Sequence, residues 1–378
     1  MNVPKLRFKE FTDEWIEYVL QSESDVRDGT HDSPKYVEKG YPLITSKNLT
    51  DMGTLDFSNV SYLKQDDFDK INQRSKVDIG DILFGMIGTI GKPVRIDRDD
   101  FAIKNVALIK EKGLIKNDYL IHYLHTPTIN KQFANNQDGG TQKFIALDKI
   151  RKLKIKMPSR KEQEKIVSLF NLLDKKIELQ SKKIEDLKLF KKGLIHQMKK
   201  SNNNWSEYKI SEIFKITRGV VIPKTDLLDN KTTEYQYPVY SSQTSNNGIL
   251  GYDTKFDFDG KYLTWTTDGA NAGKVFYRNG KFRCTNVCGV LYNDNNKYVD
   301  ELTAELLNYE TPKHVSYVGN PKLMNNVMGD IKIFLPDSNE SDRVSNILLI
   351  INNKVLLETD KLNKLNKLKK GLMQKMFV

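Results

Sequence analysis

The sequence predicts an α+β fold, with two pseudo-repeated domains of mixed helices and strands, each followed by a long helix. Two observations lead to this prediction. Short motifs recur in the same order about half a chain apart, and two long stretches carry apolar residues at helical spacing. The 378 residues are enough for two such domains. We place the domains at residues 1–158 and 201–336 and their helices at 159–200 and 337–378.

Repeated motifs mark the two globular domains as copies of one fold. Residues 15–18 (Trp-Ile-Glu-Tyr) return as residues 205–208 (Trp-Ser-Glu-Tyr). Further repeats are Tyr41-Pro42 with Tyr237-Pro238, Gly91-Lys92 with Gly273-Lys274, and Asn105-Val106 with Asn286-Val287. The offset between the copies drifts along these pairs, as expected of related domains whose surface loops differ in length.

Each domain is followed by a stretch in which the offset between copies stays constant. A proline at 158 or 336 ends a strand-like run, and apolar residues then recur at alternating spacings of three and four, which is typical of a coiled-coil seam. We expect the two helices to pair as an antiparallel coiled coil. The predicted pairing positions are Phe170, Leu173, Ile177, Gln180, Ile184, Leu187, Lys191, Leu194, Met198, Leu348, Ile351, Val355, Glu358, Leu362, Leu365, Lys369, Leu372 and Met376.

Polar residues within the seam suggest a register for this pair. In the antiparallel alignment that we predict, Lys191 lies beside Glu358, and Gln180 lies beside Lys369. Polar seam residues often fix alignment at some cost in stability. The alternative is that these side chains extend to solvent from a loose seam.

Motifs of nucleotide-dependent enzymes are absent from the sequence. Residues 85–93 resemble a phosphate-binding loop, but Met86 and Pro93 stand where a Walker A loop needs glycine and a hydroxyl residue. The glycine-rich dinucleotide fingerprint and the Asn-Pro-Pro-aromatic motif of adenine methyltransferases do not occur either. We therefore expect no catalytic residues and no cofactor in this chain.

Histidine and cysteine spacing favours structural roles over metal binding. His122 and His125 share a predicted helix, but no cysteine or acidic cluster lies near them in the sequence. Cys284 and Cys288 are too few for a disulfide framework or a zinc site, so we interpret them as buried strand residues. The sequence predicts no metal site.

Charge and hydropathy indicate the environment of the protein. With 60 Lys and Arg against 49 Asp and Glu, the formal net charge of +11 is compatible with a polyanionic partner. We find neither the apolar core of a signal peptide nor an apolar run that could span a membrane. We therefore expect a cytoplasmic protein without a membrane partner.

Taken together, these features resemble the specificity (S) subunits of type I DNA restriction-modification systems, and the resemblance covers the whole chain. The local sequences that carry it are 28–34 and 139–143 in the first domain, the helix opening 159–166, and the Lys-Gly-Leu endings at 192–194 and 370–372. The second domain departs from the first. It has Thr217-Arg218-Gly219 in place of Asp28-Gly29-Thr30, and Gly319-Asn320-Pro321-Lys322 in place of Gly-Gly-Thr-Gln.

The resemblance implies a subunit without catalytic activity. Two target-recognition domains would each read one half of an asymmetric bipartite site in double-stranded DNA, while the helices set the spacing and dock two methylation (M) subunits. Restriction (R) subunits would join that complex. S-adenosylmethionine would then bind to the M subunits, and ATP and Mg to the R subunits, with no cofactor on this chain.

Candidate DNA-binding residues are polar or basic and lie on loops that glycine or proline interrupts, at roughly corresponding places in the two domains. They are Thr30, His31, Ser46, Lys47, Asn48, Lys92, Gln142, Lys143, Arg218, Lys224, Ser242, Gln243, Lys274, Asn320 and Lys322. Each one is equally compatible with an ordinary solvated loop residue.

Three other functions stay open at this point. The chain could serve a related bipartite system whose methylation and cleavage partners are fused, or it could be a coiled-coil adaptor that does not read DNA. It could also be a nuclease or methyltransferase itself, although the missing motifs argue against that.

Overall fold

The chain forms two compact units, one comprising Met1–Gln180 with Lys361–Val378 and the other Ser181–Asp360. Each unit holds one globular part and a segment of both long helices, so the division runs across the helices. The computed structural model describes residues 3–50, 53–87, 90–134, 144–200 and 205–378.

Strands and short helices alternate in the globular part of the first unit. The strands are β1 (Ile16–Val19), β2 (Ser24–Asp28), β3 (Tyr41–Ile44), β4 (Ser61–Leu63), β5 (Ile82–Gly85), β6 (Gly91–Arg95), β7 (Ala102–Ile103), β8 (Val106–Glu111) and β9 (Lys154–Met157). The helices are α1 (Leu20–Glu23), α2 (Gln65–Ser75), α3 (Asn117–Leu124), α4 (Pro127–Ala134), α5 (Leu147–Arg151) and the long α6 (Arg160–Lys200), which continues into the second unit.

The strands of the first unit form three sheets. An antiparallel sheet has the order β2-β8-β5-β6, a smaller sheet has the order β4-β3-β7 with β3 and β7 parallel, and β1 pairs with β9. The run from Val106 to Ile109 is apolar throughout because β8 is buried on both faces. Ala107 and Ile109 pack in one hydrophobic core with Trp15, and alternate residues of β8 face a second core around Phe101.

The second unit repeats this arrangement. Its strands are β10 (Ser206–Lys209), β11 (Lys215–Arg218), β12 (Tyr237–Tyr240), β13 (Ile249–Asp253), β14 (Lys261–Thr266), β15 (Val275–Asn279), β16 (Arg283–Cys284), β17 (Cys288–Tyr292) and β18 (Lys332–Leu335). Its helices are α7 (Ile210–Ile213), α8 (Glu301–Glu310), α9 (Asn325–Asp330) and the long α10 (Ser338–Met376), which continues into the first unit.

Equivalent strands occupy equivalent places in the two units. The second unit has an antiparallel sheet of order β11-β17-β14-β15, a smaller sheet of order β13-β12-β16 with β12 and β16 parallel, and the pair β10-β18. This match confirms the predicted α+β class and the two copies of one fold. Cys284 and Cys288 are buried in β16 and β17, as predicted.

Segments of the two long helices pack together within each unit. None of the eighteen predicted pairing positions, all of which the structure describes, is exposed. In the first unit, the rings of Phe170 in α6 and Phe377 at the end of α10 lie 5.5 Å apart. In the second unit, the segments run antiparallel, because Lys183 contacts Glu358 while Lys191 contacts the earlier residue Asn352.

The predicted register of the helix pair is wrong by almost one heptad. Lys191 lies opposite Asn352, six residues before its predicted neighbour Glu358. Lys369 contacts Asp174, which is likewise six residues before Gln180. In the second unit, Lys191 Nζ also donates to Glu305 of α8 at 2.8 Å, a tertiary contact that seam periodicity does not contain. Across the described ranges, no helix is long and apolar enough to cross a bilayer.

Candidate nucleic-acid interface

Candidate residues on two loops of the first unit converge at one end of its sheets. After β2, the backbone continues beside the link between β7 and β8, where Thr30 N donates to Ile103 O at 3.0 Å. Asn105 N donates back to Thr30 O at 3.2 Å. Lys104 N donates to Ile44 O at 2.9 Å, which brings the end of β3 to the same place. Three loops distant in sequence therefore meet here.

The loop after β3 contributes Ser46, Lys47 and Asn48. Ser46 is buried and its Oγ donates to Asn105 O at 3.1 Å. Asn48 is also buried, and its side-chain amide donates to Asp56 O at 3.0 Å. These two candidates hold the loop in shape, whereas the exposed Lys47 is available to a ligand.

His31 is held at this end of the unit by two polar contacts. Its Nε2 lies 2.8 Å from Asp28 Oδ2 and its Nδ1 lies 2.8 Å from Asn105 Oδ1. Hydrogen bonds to Asp28 and then Asn105 raise the pKa of His31, because both oxygens accept from a protonated ring. Arg74 contacts the same Asp28 carboxylate. The imidazole remains exposed to a ligand.

The end of β5 lies beside this cluster, because Ile87, two residues after the strand, lines one cavity with Ser46 and Asn105. Lys92 is half-buried at the start of β6, with φ of +48°, and follows Gly91 with φ of +89°. The segment before α5 also reaches this place, since Ile145 N donates to Met86 O at 2.9 Å. The candidates Gln142 and Lys143 lie outside the described residues.

The second unit brings Arg218, Ser242 and Gln243 together in the equivalent place. Arg218 is exposed at the end of β11, and Val220 N donates to Cys284 O at 3.1 Å. The link between β16 and β17 reaches the end of β12, where Thr285 N donates to Tyr240 O at 2.9 Å. The half-buried Ser242 and Gln243 follow directly on that strand.

A hairpin loop adds Asn320 and Lys322 to this end. Both side chains are exposed. Lys322 pairs with Asp268 across a backbone bridge, and its Nζ lies 3.8 Å from Asp268 Oδ1. The loop therefore packs beside the segment that follows β14.

Two lysine candidates of the second unit have other surroundings. Lys224 is exposed at the start of a short 3-10 helix, Lys224–Asp226. Burial lowers the pKa of Lys274, whose charge interacts with Glu305 of α8 and Lys191 of α6. The charge of Lys274 is therefore influenced by α8 and α6 as well as by its own loop.

The structure shifts the alignment of the two copies by one residue. Gly29 N donates to Val106 O and Gly219 N donates to Cys288 O, so these glycines are equivalent. A Cβ at Gly29 would lie 2.4 Å from a backbone carbonyl oxygen, and one at Gly219 only 2.0 Å, which leaves room for glycine alone. Asp28 therefore corresponds to Arg218, and Thr30 to Val220.

Sequence reasoning missed Lys104 and Asn105, which lie at the centre of the first cluster. Asn105 has φ of +56° and holds His31 and Ser46. The repeated Asn-Val pair was the available signal for it. A cavity of about 510 Å³ opens beside these residues, with Tyr36 and Lys47 on its wall.

Metal binding finds no support in the parts of the chain that the structure describes, where no three His, Cys, Asp or Glu residues could share an ion. His122 is buried against α6, with Nε2 3.2 Å from Asn171 Oδ1. Burial lowers the pKa of His122 and lowers that of His125 to about 4. A lowered pKa favours the uncharged ring, and the ring of His122 is packed in the protein interior.

Comparison with known proteins yields a family match to both halves of the chain. The model of the type I restriction modification DNA specificity domain matches residues 34–189 and 202–367. Two Mycoplasma pneumoniae proteins named as type I specificity subunits are similar. One is 42% identical over 142 residues, covering 37% of this chain and 74% of the relative, and the other is 36% identical over 213 residues, covering 54% and 77%.

A solved structure shows the same fold. The type I restriction-modification S subunit from M. genitalium superposes with a TM-score of 0.72 at 16% identity, covering 100% of this chain and 99% of that one. Two copies of one architecture, and a family model that matches each of them, lead to a single assignment. This chain belongs to the type I restriction-modification DNA specificity subunits and carries the specificity domain twice.

Proposed function

We propose that each unit reads one half of an asymmetric bipartite target in double-stranded DNA. One observation carries this proposal. In each unit these loops meet at one end of the sheets, which we call its recognition end. Equivalent positions of the two recognition ends carry different side chains: acidic Asp28 corresponds to basic Arg218, and hydroxyl-bearing Thr30 corresponds to apolar Val220. Base edges differ in their donors, acceptors and methyl groups, so two ends with different side chains select different sequences.

Basic residues at both ends support contact with the DNA backbone. Lys47 and His31 are exposed in the first unit, and Arg218 and Lys322 are exposed in the second. Phosphate contacts from such residues fix the orientation of a protein on a duplex, and base contacts then choose the sequence. The net charge of +11 acts in the same direction.

The long helices are suited to spacing and docking. α6 has 41 residues, which corresponds to about 60 Å at 1.5 Å per residue. Both helices also carry large apolar side chains that are exposed: Leu172, Leu179, Leu189, Phe190, Ile347, Ile350, Leu356, Leu357 and Leu368. Exposed apolar surface on this scale favours a protein partner, and we assign two M subunits to it, with R subunits joining the complex.

In this proposal the chain itself is not a catalyst and binds no cofactor. S-adenosylmethionine belongs to the M subunits, and ATP and Mg belong to the R subunits. The recognition ends offer loop side chains and backbone to a duplex, with no nucleophile beside a general base among the contacts described above. Action on chromosomal DNA places the complex in the cytoplasm.

Modification-sensitive long-read sequencing tests the proposal. DNA from cells that express this chain with its M subunit is compared with DNA from cells that lack only this chain. We expect a split asymmetric motif, with a methylated adenine in each half, only when the chain is present. A purified complex with M that leaves no new motif would show that these units do not read DNA and would favour an adaptor.

Variants separate the two halves. Arg218→Ala is expected to change or weaken only one half of the motif, because Arg218 lies at the recognition end of the second unit. Lys182→Ala, an exposed substitution on α6, serves as the matched control and should leave both halves unchanged. Equal loss of both halves in Arg218→Ala would contradict independent reading.

A further inference from the structure

A narrow hairpin projects from the recognition end of the second unit. Ser316 and Lys322 close it with two backbone hydrogen bonds of 2.9 Å, one in each direction. The five residues between them, 317–321, turn through Gly319, whose φ of +75° suits glycine. The hairpin is therefore short and closed at its base by paired backbone.

Both ends of the hairpin are anchored in the protein core. Val315, just before it, and Leu323, just after it, are buried. Leu323 N donates to Thr267 O at 2.9 Å, and Leu323 O accepts from the indole of Trp265 at 3.1 Å. Gly269 N donates to Pro321 O at 2.9 Å. These bonds hold the loop at a fixed angle to the end of β14.

The tip of this rigid loop is apolar and fully presented to solvent. Val318 is 92% exposed and its neighbour Tyr317 is 68% exposed. No other large hydrophobic residue in the described ranges is as exposed as Val318. At this exposure the side chain makes little contact within the unit, so it is available to a ligand that offers it an apolar surface.

The surroundings of the tip favour DNA as that ligand. Lys322 and Arg218 are exposed at the same end of the unit, and Asp268, the acidic group at the base of the hairpin, is neutralised by Lys322. Asn320 places an exposed amide on the same loop. A duplex presents the one combination that fits this set, namely phosphates, an adenine edge that pairs with amides, and the 5-methyl group of thymine.

We propose that Val318 contacts the 5-methyl group of a thymine in the major groove and thereby selects an A·T pair in the half-site of the second unit. This inference rests on the proposed DNA-reading function and assigns the residue that reads one base pair. Pre-ordering by the anchored hairpin reduces the entropy cost of inserting the tip into the groove.

Thymine-to-uracil exchange tests the contact, because uracil lacks only the 5-methyl group. Synthetic duplexes carry the motif recovered by sequencing, with each thymine of the second half-site replaced in turn, and their affinity for the complex with M is measured. We expect about a fourfold loss of affinity at one position, the factor for removing one buried methyl group. Val318→Ala shortens the apolar side chain, so the difference in affinity between the thymine and uracil duplexes at that position should shrink.

Ile79→Ala is the matched control. Ile79 is 65% exposed in the first unit. It precedes the first residue of β5, and that end of the strand lies away from the recognition loops. It should keep the thymine preference in full. Because Val318 is exposed, its alanine variant should retain the melting temperature of the wild type, which excludes misfolding as the cause of any change.

Several results would overturn the inference. A second half-site without an A·T pair, no loss on uracil exchange, or the same loss in Val318→Ala would each exclude the methyl contact while leaving the DNA-reading function intact. Absence of any motif would instead defeat the proposed function and this inference with it. Impaired binding of the M subunit by Val318→Ala, with an unchanged motif, would show that the tip docks protein.

Discussion

Lys191 Nζ lies 3.0 Å from Asn352 Oδ1 across the two long helices and 2.8 Å from Glu305 Oε1 in α8. One ammonium group therefore joins both helices to the globular part of the second unit. The side chains of Lys191 and Glu305 are only 21% and 16% exposed, so solvent screens this ion pair little. The contact fixes how the helix segments align within that unit.

Substituting Lys191 tests this register. Lys191→Met keeps the aliphatic stem but leaves the Glu305 carboxylate without this cation, which should destabilise the second unit by about 2 kcal/mol in urea unfolding. A double-mutant cycle should give coupling of about 1 kcal/mol between Lys191 and Asn352. Coupling between Lys191 and Glu358 should be near zero, and a larger value there would restore the register predicted from the seam.

Glu301 makes the stability of the second unit depend on pH. Burial, followed by repulsion from Glu305, raises the pKa of Glu301 to about 7, although Lys191 and Asn352 oppose the shift. The folded state therefore holds a proton that the unfolded state releases near pH 4.5, and stability falls as the pH rises from there through 7.

Glu301→Gln should remove this dependence, because the amide is neutral and can still accept from Asn352. At pH 8 we expect the variant to exceed the wild type by about 1 kcal/mol, allowing for partial solvation of Glu301, and the advantage should vanish at pH 5. Urea unfolding at both pH values measures it. An advantage of equal size at pH 5 would mean that packing, and not ionisation, is responsible.

Gly29 is required for the close approach of two backbones at the recognition end. In Gly29→Ala the new methyl group would meet Ile103 O, and we expect destabilisation of about 1–3 kcal/mol together with weaker reading of one half-site. Gly371→Ala is the control within the chain. A Cβ at Gly371, inside α10, meets nothing within 4 Å, so alanine should stabilise the helix by up to about 1 kcal/mol.

Exposed apolar residues on α6 should govern assembly. Leu189 and Phe190 are 69% and 61% exposed, so replacing both with alanine should leave the melting temperature unchanged. We expect at least a tenfold loss of M subunit in co-purification, because truncating apolar anchors removes much of the energy of an interface. Lys188→Ala, on the same exposed stretch, should co-purify normally. Full retention of M by the double variant would place the docking surface elsewhere.

The recognition loops show where sequence patterns stop being informative. The Asn105-Val106 motif can be found in the sequence because it is repeated. Its structural role depends on Ser46, which lies 59 residues away and donates a hydrogen bond to the carbonyl oxygen of Asn105. Asn48 is of a residue type that often binds ligands, but it is buried and instead holds its own loop together. Neither fact follows from residue type, because the first depends on the pairing of β3 with β7 and the second on the path of the loop after β3.

By itself, the sequence determined the repeat, the α+β class and the long helices, since these depend on local periodicity, on proline positions and on similarity between the two halves. The helix predicted at 159–200 runs from Arg160 to Lys200. Tertiary structure decided the helix register and the equivalence of Gly29 with Gly219. Those features arise from contacts between distant segments, where one hydrogen bond or one carbonyl oxygen too close for a methyl group outweighs any local preference.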